Sequence, residues 1–349
     1  MVGRKTRVVV VDDSAVVRAV LSRQLANDAE IEVVGQAPDG ASALEMLQSL
    51  APDVVTLDVE MPGTDGLATL EAIMRQRPTP VVMVSGLTSE GAAVTIRALE
   101  AGAVDFVAKP VHAGVPALHR VTDELRAKVK VAAGVTPRRR DGRSSNQGSG
   151  VAGGSAARAG GPWGKELILI ASSTGGPAAL QTVLSSLPAD IAPTVVVQHM
   201  PREFTRSLAE RLDQLVPPRV REARPGQLLE AGQVLVAPGG YHTIVTRKAV
   251  RLRGGKPQNG MRPSADVTME SAAKVFGEKA LGVVLTGMGV DGTRGAGAIR
   301  AAGGQVIAQD EATSVVYGMP RSVAEAGWAD RVVPLRRIAG TIVEMCRQP

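Results

Sequence analysis

The chain has 349 residues, which is enough for two domains of ordinary size. Its 44% apolar and 21% charged residues are typical of globular proteins. The single cysteine, Cys346, excludes an internal disulfide, and no apolar run approaches the ~20 residues of a membrane-spanning helix. The N-terminus also lacks the apolar core of a signal peptide, so we expect a cytoplasmic protein without membrane insertion.

The net charge of +6 suggests nucleic-acid binding until the charges are located along the chain. Six basic side chains against one acidic side chain give residues 130–162 a net charge of +5, and the rest is close to neutral. The pattern therefore indicates a basic linker and not a basic face on a folded domain. We expect no nucleic acid among the partners.

Residues 7–130 alternate short apolar runs with helical patterns. That alternation predicts a doubly wound parallel sheet with helices on both faces. Strands are predicted at 8–11, 31–34, 54–57, 81–84 and 104–107. Helices are predicted near 14–27, 40–50, 66–76, 90–101 and 116–130.

Polar side chains follow four of these strands. Asp12 and Asp13 follow the first, Asp58 the third, Ser85 the fourth, and Lys109 the fifth. Because the carboxyl ends of parallel strands share one edge of a sheet, these residues can converge in one crevice. Three clustered carboxylates need a cation, and Mg²⁺ takes oxygen ligands of this kind. Simple solvation accounts for any one acidic residue at a strand end, but not easily for all five positions together.

This set resembles the receiver domain of bacterial response regulators, over residues 5–128. The resemblance implies a flavodoxin-like fold in which Asp58 accepts a phosphoryl group from a sensor histidine kinase. It also implies Mg²⁺ ligation by Asp13, Asp58 and the Glu60 carbonyl, with Asp12 acting through water. The remaining implied roles are phosphoryl contacts from Ser85 and Lys109 and a switch function for Phe106.

Residues 131–162 are rich in Gly, Ser, Ala and Arg and have no periodic apolar pattern. Such a segment cannot bury enough surface to offset the entropy lost on ordering. We therefore predict a flexible tether between two domains, residues 1–130 and 163–349. Its arginines could dock on an acidic receptor surface, or they could simply be solvated.

Residues 163–349 alternate again and predict a second, Rossmann-like parallel-sheet domain. The segment 234–253 consists of short strand patterns around a Pro-Gly-Gly turn, which predicts a hairpin-like insertion. Strands are predicted at 167–171, 194–197, 234–237, 281–286, 305–308 and 331–333. Helices are predicted near 178–187, 202–215, 264–276, 292–302 and 335–346.

Three polar turns follow strands of this second domain and carry a serine pair, a histidine and an aspartate. A serine, a histidine and an aspartate at one sheet edge can form an acyl-transfer triad, and glycine-rich turns leave N–H groups free for an oxyanion. Spacing alone leaves alternatives open. Either serine of the pair could be the nucleophile or a helix cap, the histidine could be structural, and the aspartate could cap the next helix. The residues concerned are Ser172, Ser173, His199 and Asp291.

Five motifs resemble the catalytic domain of chemotaxis protein-glutamate methylesterases, and with the receiver in front the resemblance covers nearly the whole chain. They are Ser173-Thr-Gly-Gly, Gln198-His-Met-Pro, Ala237-Pro-Gly-Gly-Tyr-His242, Arg262-Pro-Ser-Ala-Asp-Val and Leu285-Thr-Gly-Met-Gly-Val-Asp-Gly292. The resemblance implies Ser173 as nucleophile, His199 as base and Asp291 as the carboxylate that orients the base. It also implies that the Met288 backbone N–H forms part of the oxyanion hole.

The resemblance implies a phosphorylation-regulated hydrolase that demethylates glutamate methyl esters on methyl-accepting chemoreceptors and releases methanol. The receiver would inhibit this activity until Asp58 is phosphorylated, and the same acyl chemistry permits deamidation of receptor glutamines. Mg²⁺ would serve phosphorylation only, and ester hydrolysis would need no cofactor. Two other classes stay open, a catalytically silent interaction module and a receiver-driven DNA-binding regulator. We expect a monomer.

Overall fold

A computed structural model of the protein describes residues 4–61, 65–109, 121–137 and 163–347. The backbone divides into two compact units, residues 1–152 and 153–349. Most of the predicted linker lies outside the described residues; its first residues, 131–133, complete a helix. None of the described helices is long and apolar enough to cross a membrane, and a cytoplasmic location stays a prediction.

The first unit is a five-stranded parallel sheet with helices on both faces. Its strands are β1 Thr6–Val11, β2 Ile31–Ala37, β3 Val54–Asp58, β4 Val81–Gly86 and β5 Asp105–Lys109. Its helices are α1 Ala15–Ala26, α2 Gly40–Leu50, α3 Gly66–Gln76, α4 Ser89–Ala101 and α5 Thr122–Ala133. The strand order β2-β1-β3-β4-β5 is the flavodoxin-like order, so the predicted fold of this half is confirmed. The predicted start of the last helix, at residue 116, lies outside the described residues.

The second unit is a seven-stranded parallel sheet with one separate hairpin. Its strands are β6 Leu167–Ser172, β7 Thr194–Gln198, β8 Arg219–Glu222, β9 Gln233–Val236, β10 His242–Val245, β11 Val250–Arg253, β12 Ala280–Val284, β13 Gln305–Gln309 and β14 Arg331–Val333. Its helices are α6 Gly176–Leu184, α7 Arg202–Leu215, α8 Ala265–Phe276, α9 Thr293–Ala301, α10 Met319–Glu325 and α11 Leu335–Arg347, with a 3₁₀ turn at Gly277–Lys279.

A hairpin is present in the predicted segment, but it turns at residues 246–249, and the Pro-Gly-Gly sequence at 238–240 instead joins β9 of the main sheet to the hairpin. Two elements of this unit were not predicted. Strands β10 and β11 pair antiparallel outside the main sheet, as expected for the insertion. Strand β8 escaped prediction because it is a four-residue edge strand whose sequence, Arg-Val-Arg-Glu, contains a single apolar residue. Helix α10 has seven residues, too few for a helical repeat to emerge from the pattern.

The winding of the large sheet reverses beside β6. The strand order is β14-β13-β12-β6-β7-β9-β8, and every neighbouring pair is parallel. The chain therefore builds outward from β6 on one side and then returns to place β12 on the other side. In open α/β sheets such a reversal opens a crevice at the carboxyl ends of the strands, where ligands bind. The turns that follow β6, β7 and β12 border this crevice.

Candidate active site

The three predicted polar turns of the second unit meet at this crevice. Ser173 follows β6, His199 follows β7, and Asp291 lies in the turn after β12. Backbone hydrogen bonds join the turns directly. The His199 N–H donates to the Ser172 carbonyl at 3.1 Å, and the Ser173 N–H donates to the Thr286 carbonyl at 3.0 Å.

The tight turn after β6 requires glycine at two positions. Gly175 has a φ of +76°, and a Cβ on Gly176 would clash with the side-chain oxygen of Gln198. Helix α6 starts at Gly176 with Gly175 as its N-cap and no side-chain cap. The alternative that one of the two serines merely caps this helix is therefore wrong.

Burial separates the two serines. The Ser172 hydroxyl is fully buried and donates to Gln198 Oε1 at 2.6 Å. The Gln198 amide in turn donates to the carbonyls of Ser173, at 2.9 Å, and His199, at 3.3 Å. Ser173 is half-buried, and its hydroxyl makes no hydrogen bond within the described part of the chain. Of the pair, Ser173 is thus the residue with an uncommitted hydroxyl.

The Asp291 carboxylate is buried and accepts four hydrogen bonds. Three come from the start of helix α8: the Ser264 hydroxyl at 2.8 Å, the Ala265 N–H at 2.6 Å and the Asp266 N–H at 3.0 Å. The fourth partner is His199 Nε2 at 2.7 Å. Burial alone would raise the pKa of Asp291, but the His199 contact and the backbone N–H groups outweigh it and lower the pKa to about 2.

These contacts fix which nitrogen of His199 carries the proton. Asp291 is ionised at neutral pH, and an ionised carboxylate can only accept hydrogen bonds. His199 Nε2 must therefore be the protonated nitrogen. Its other nitrogen, Nδ1, is buried and has no partner among the described residues. An unprotonated, uncommitted ring nitrogen is what a general base requires.

The turn that carries Asp291 also presents a free backbone donor. The Gly287 N–H donates to the Val316 carbonyl, and the Gly287 carbonyl accepts from Met319 N–H at 2.8 Å, so the turn is held on both sides. The Met288 N–H donates to no group in the described residues. It is available for an oxyanion. Asp291 itself does not cap helix α9, whose N-cap is Gly292 without a side-chain bond, so that alternative is wrong.

Three residues of this site were given no role by the sequence. Gln198 lies in the same motif as His199, and Ser264 and Asp266 lie in the Arg-Pro-Ser-Ala-Asp-Val motif. Ser264 is the N-cap of α8 and accepts from the Val267 N–H, which is a recognisable helix-start signal. No local pattern indicates that this helix end also holds Asp291.

The first unit brings its predicted acidic residues together. One oxygen each of Asp12, Asp13 and Asp58 lies within 4.8 Å of the others. The Lys109 ammonium contacts Asp12 at 2.6 Å and Asp58 at 2.7 Å. Burial, assisted by the Asp12 charge, raises the pKa of Asp58 to about 6 although Lys109 opposes the shift. Three carboxylates that repel one another and offer only oxygen atoms fit the ligand preference of Mg²⁺.

The other predicted receiver residues differ in the contacts that they make. The Ser85 hydroxyl is buried and accepts from the Thr95 hydroxyl at 2.8 Å, so it is engaged with α4 and not with the carboxylates. The Glu60 N–H donates to Asp58 Oδ1 at 3.3 Å. Phe106 is buried, with the Lys128 ammonium 5.3 Å from its ring centroid.

One further contact at the cluster was not foreseen. The guanidinium of Arg18 on α1 donates to the carbonyls of Asp12, at 2.7 Å, and Asp13, at 3.0 Å. It therefore fixes the backbone from which both carboxylates project. Arg18 lies four residues after Ser14, the N-cap of α1, and this spacing gives no signal in the sequence alone.

Comparison with known proteins matches both halves of the chain. The family described as CheB methylesterase matches residues 168–342, and that described as response regulator receiver domain matches residues 8–117. A protein-glutamate methylesterase/protein-glutamine glutaminase of Symbiobacterium thermophilum is 52% identical over 98% of this chain and 97% of its own length. A protein-glutamate methylesterase/protein-glutamine glutaminase 2 of Pseudomonas aeruginosa is 46% identical over 97% of this chain and 96% of its own length.

A solved structure agrees with the second unit. The crystal structure of the Thermotoga maritima CheB methylesterase catalytic domain is 42% identical, with a TM-score of 0.51. The match between the two structures covers 52% of this chain and 98% of the Thermotoga maritima chain.

The lowered pKa of Asp291 makes a prediction about stability. Its folded value, about 2, lies below the ordinary 3.8, so the ionised group stabilises the fold above pH 4 and loses this effect as the pH falls through 2. The shift corresponds to about 2 kcal/mol at pH 7, and about half of that remains at pH 3. We expect Asp291→Asn to lower the free energy of unfolding by that amount at pH 7.

Urea unfolding followed by tryptophan fluorescence measures this effect. Trp163 and Trp328 are the only tryptophans and both lie in the second unit, so the signal reports on that unit alone. The difference between Asp291→Asn and the unaltered chain should shrink between pH 7 and pH 3. A difference that is the same at both pH values would contradict the prediction.

Proposed function

The chain belongs to the CheB methylesterase family, and we propose that it hydrolyses glutamate methyl esters on methyl-accepting chemoreceptors. The products would be methanol and the free glutamate side chain. The observation that carries the proposal is the His199–Asp291 contact at the crevice that Ser173 also borders. Among the described residues, neither His199 Nδ1 nor the Ser173 hydroxyl has a hydrogen-bond partner. A catalytically silent interaction module would have no need of this arrangement.

Acylation in this proposal begins at Ser173. Its Oγ attacks the γ-carbonyl of the ester while His199 Nδ1 accepts the serine proton. The oxyanion that forms accepts a hydrogen bond from the Met288 N–H. When the intermediate collapses, the bond to the methoxide breaks, and His199 returns the proton so that methanol departs. General-base help is worth about 10²–10⁴-fold in rate and an oxyanion donor about 10²–10³-fold.

Deacylation repeats these steps with water. His199 Nδ1 accepts a proton from the attacking water, and the acyl bond to Ser173 Oγ breaks as the serine recovers its proton. Asp291 stays ionised throughout, because its hydrogen bonds hold its pKa near 2. It orients the ring and stabilises the imidazolium that forms in each half of the cycle. Ester hydrolysis in this scheme uses no cofactor.

Phosphorylation of Asp58 by a sensor histidine kinase would regulate the activity. Mg²⁺ would be held by Asp13, Asp58 and the Glu60 carbonyl, with Asp12 acting through water, and would neutralise phosphoryl charge. Lys109 already lies against Asp58, whereas the Ser85 hydroxyl would have to leave Thr95 to reach a phosphoryl oxygen. We propose that the unphosphorylated receiver, with Phe106 as switch residue, keeps the esterase activity low.

The same site is suited to a second substrate class. The names of the relatives include protein-glutamine glutaminase, and attack of a serine on a primary amide follows the same acyl chemistry. We propose that selected receptor glutamines are deamidated at Ser173 with release of ammonia.

The domain limits of this enzyme would be 1–130 for the receiver, 131–162 for the linker and 163–349 for the catalytic domain.

The two adjacent serines provide a matched test of the nucleophile. Ser173→Ala in the full chain should abolish methanol release from methylated receptor membranes, because the other hydroxyls of the turn already have partners among the described residues. Ser172→Ala removes a buried hydrogen bond to Gln198 but leaves the reacting group, so turnover should persist. Full methanol release by Ser173→Ala, or its loss in Ser172→Ala alone, would contradict the assignment.

Regulation is tested by the same assay with a small phosphodonor. We expect acetyl phosphate to stimulate methanol release by the unaltered chain, since each tenfold activation needs only about 1.4 kcal/mol. Asp58→Asn should abolish the stimulation but not the basal rate, and chelation of Mg²⁺ should do the same. The control is Asp53→Asn, at the other end of β3, where an amide can still accept from the Arg7 N–H. Stimulation that survives in Asp58→Asn would refute phosphorylation at this residue.

A further inference from the structure

The Arg-Pro-Ser-Ala-Asp-Val motif at the start of α8 holds Asp291, but one of its side chains has no role in the mechanism above. Its aspartate, Asp266, is only 1% exposed. A side chain this deeply buried cannot contact a protein substrate directly. A buried carboxylate nevertheless needs compensating donors, and the identity of those donors indicates what it does.

The donors of Asp266 are Gly292, which directly follows Asp291, and two residues in the first turn of α9. Asp266 Oδ1 accepts from the Gly292 N–H and the Gly295 N–H, both at 2.9 Å. Asp266 Oδ2 accepts from the Arg294 guanidinium at 3.1 Å. Helix α9 has no side-chain cap of its own, so Asp266 satisfies the amides at its start from outside.

Each of the two carboxylates therefore accepts hydrogen bonds from the N-terminus of the other's helix. Asp291, at the start of α9, accepts from the first turn of α8, and Asp266, in the first turn of α8, accepts from the start of α9. Each negative charge lies at the positive end of the other helix, where it is stabilised. The hydrogen bonds close a ring that links α8, Asp291 and α9.

We propose that Asp266 is a positioning residue for ester hydrolysis, acting through the turn at Gly292. By holding the Gly292 and Gly295 amides, it fixes the chain immediately after Asp291 and so sets where the carboxylate meets His199. This inference rests on the proposed esterase function and adds a determinant of its geometry.

Close packing supports a precise rather than a general role. Gly295 lies so near α8 that an added Cβ would be 2.6 Å from Met269 Cβ and 3.2 Å from Asp266 Cα. The two helix starts therefore have little room to shift while the Oδ1 contacts are kept. The Oδ2 contact differs, because its partner Arg294 is 57% exposed and can move into solvent. Oδ1 is the atom on which the proposal depends.

This difference between the two oxygens gives a conservative variant. Asp266→Asn keeps an oxygen for the Gly292 and Gly295 amides and changes only the group that faces Arg294. Asp266→Ala removes the acceptor, and Asp266→Ser replaces it with a hydroxyl that is too short to reach both amides. We expect kcat for methanol release to fall about 10²-fold in the alanine and serine variants, as for a small misplacement of reacting groups. The asparagine variant should retain most activity.

The control is a carboxylate that makes similar bonds away from the crevice. Asp330 accepts from the Val306 N–H at 2.7 Å and from the Arg300 guanidinium at 2.7 Å. These contacts lie at the amino ends of β13 and β14, whereas the crevice lies at the carboxyl ends of the strands. Asp330→Ala should reduce the urea midpoint measured by tryptophan fluorescence but leave kcat of the folded enzyme unchanged.

Because Asp266 does not touch substrate, its variants should lower kcat with KM unchanged.

All variants are compared in the full chain with methylated receptor membranes. The assay contains no urea and is run at a temperature where tryptophan fluorescence shows the second unit folded. Unchanged kcat in Asp266→Ala, or a loss in Asp266→Asn as large as in Asp266→Ala, would overturn the proposal. If Asp266→Ala does not fold, Asp266→Ser against Asp266→Asn decides in the same way. Absence of methanol release by the unaltered chain would instead refute the proposed function, so the two failures are distinguishable.

Discussion

The geometry of the catalytic unit depends on the buried carboxylate of Asp291 at the N-terminus of helix α8. Three of its four hydrogen bonds come from that helix end, where the backbone amides carry partial positive charge. Without such donors, a buried carboxylate would become protonated rather than remain ionised. Because it is ionised, Asp291 can only accept, and the proton of His199 is confined to Nε2. A helix end thus leaves Nδ1 as the unprotonated ring nitrogen, the one that we propose as the base.

Sheet topology explains how residues far apart in sequence reach this arrangement. His199 and Asp291 are 92 residues apart, yet both follow strands that flank β6. The first unit uses the same principle, with Lys109 and Asp12, 97 residues apart, in contact at the strand ends of its own sheet. In both units the carboxyl edge of a parallel sheet brings together polar side chains from strands that are distant in sequence.

Sequence patterns predicted most of the framework because buried parallel strands are continuous apolar runs bounded by turns. The same reasoning placed Asp12, Asp13 and Asp58 at one edge, since it needs only strand ends and not side-chain positions. Strand β8 was missed because an edge strand with one apolar residue lacks that signal.

What the patterns could not provide was tertiary detail. Ser172 and Ser173 have the same local chemistry, and only burial and the Gln198 contact distinguish them. Asp291 looked like a cap for the helix that follows it, but it binds the start of α8, and Asp266 serves α9 in its place. Such an exchange between two helix starts depends on their approach in space, which no spacing along the chain encodes.

If Asp291 places the proton of His199 on Nε2, then Nδ1 is unprotonated in the free enzyme. The ¹⁵N chemical shifts of the imidazole nitrogens, measured in the full chain at neutral pH and assigned with a His199→Gln variant, distinguish the two tautomers. We expect the shifts of a protonated Nε2 and an unprotonated Nδ1. Shifts that place the proton on Nδ1 would refute the proposed role of Asp291.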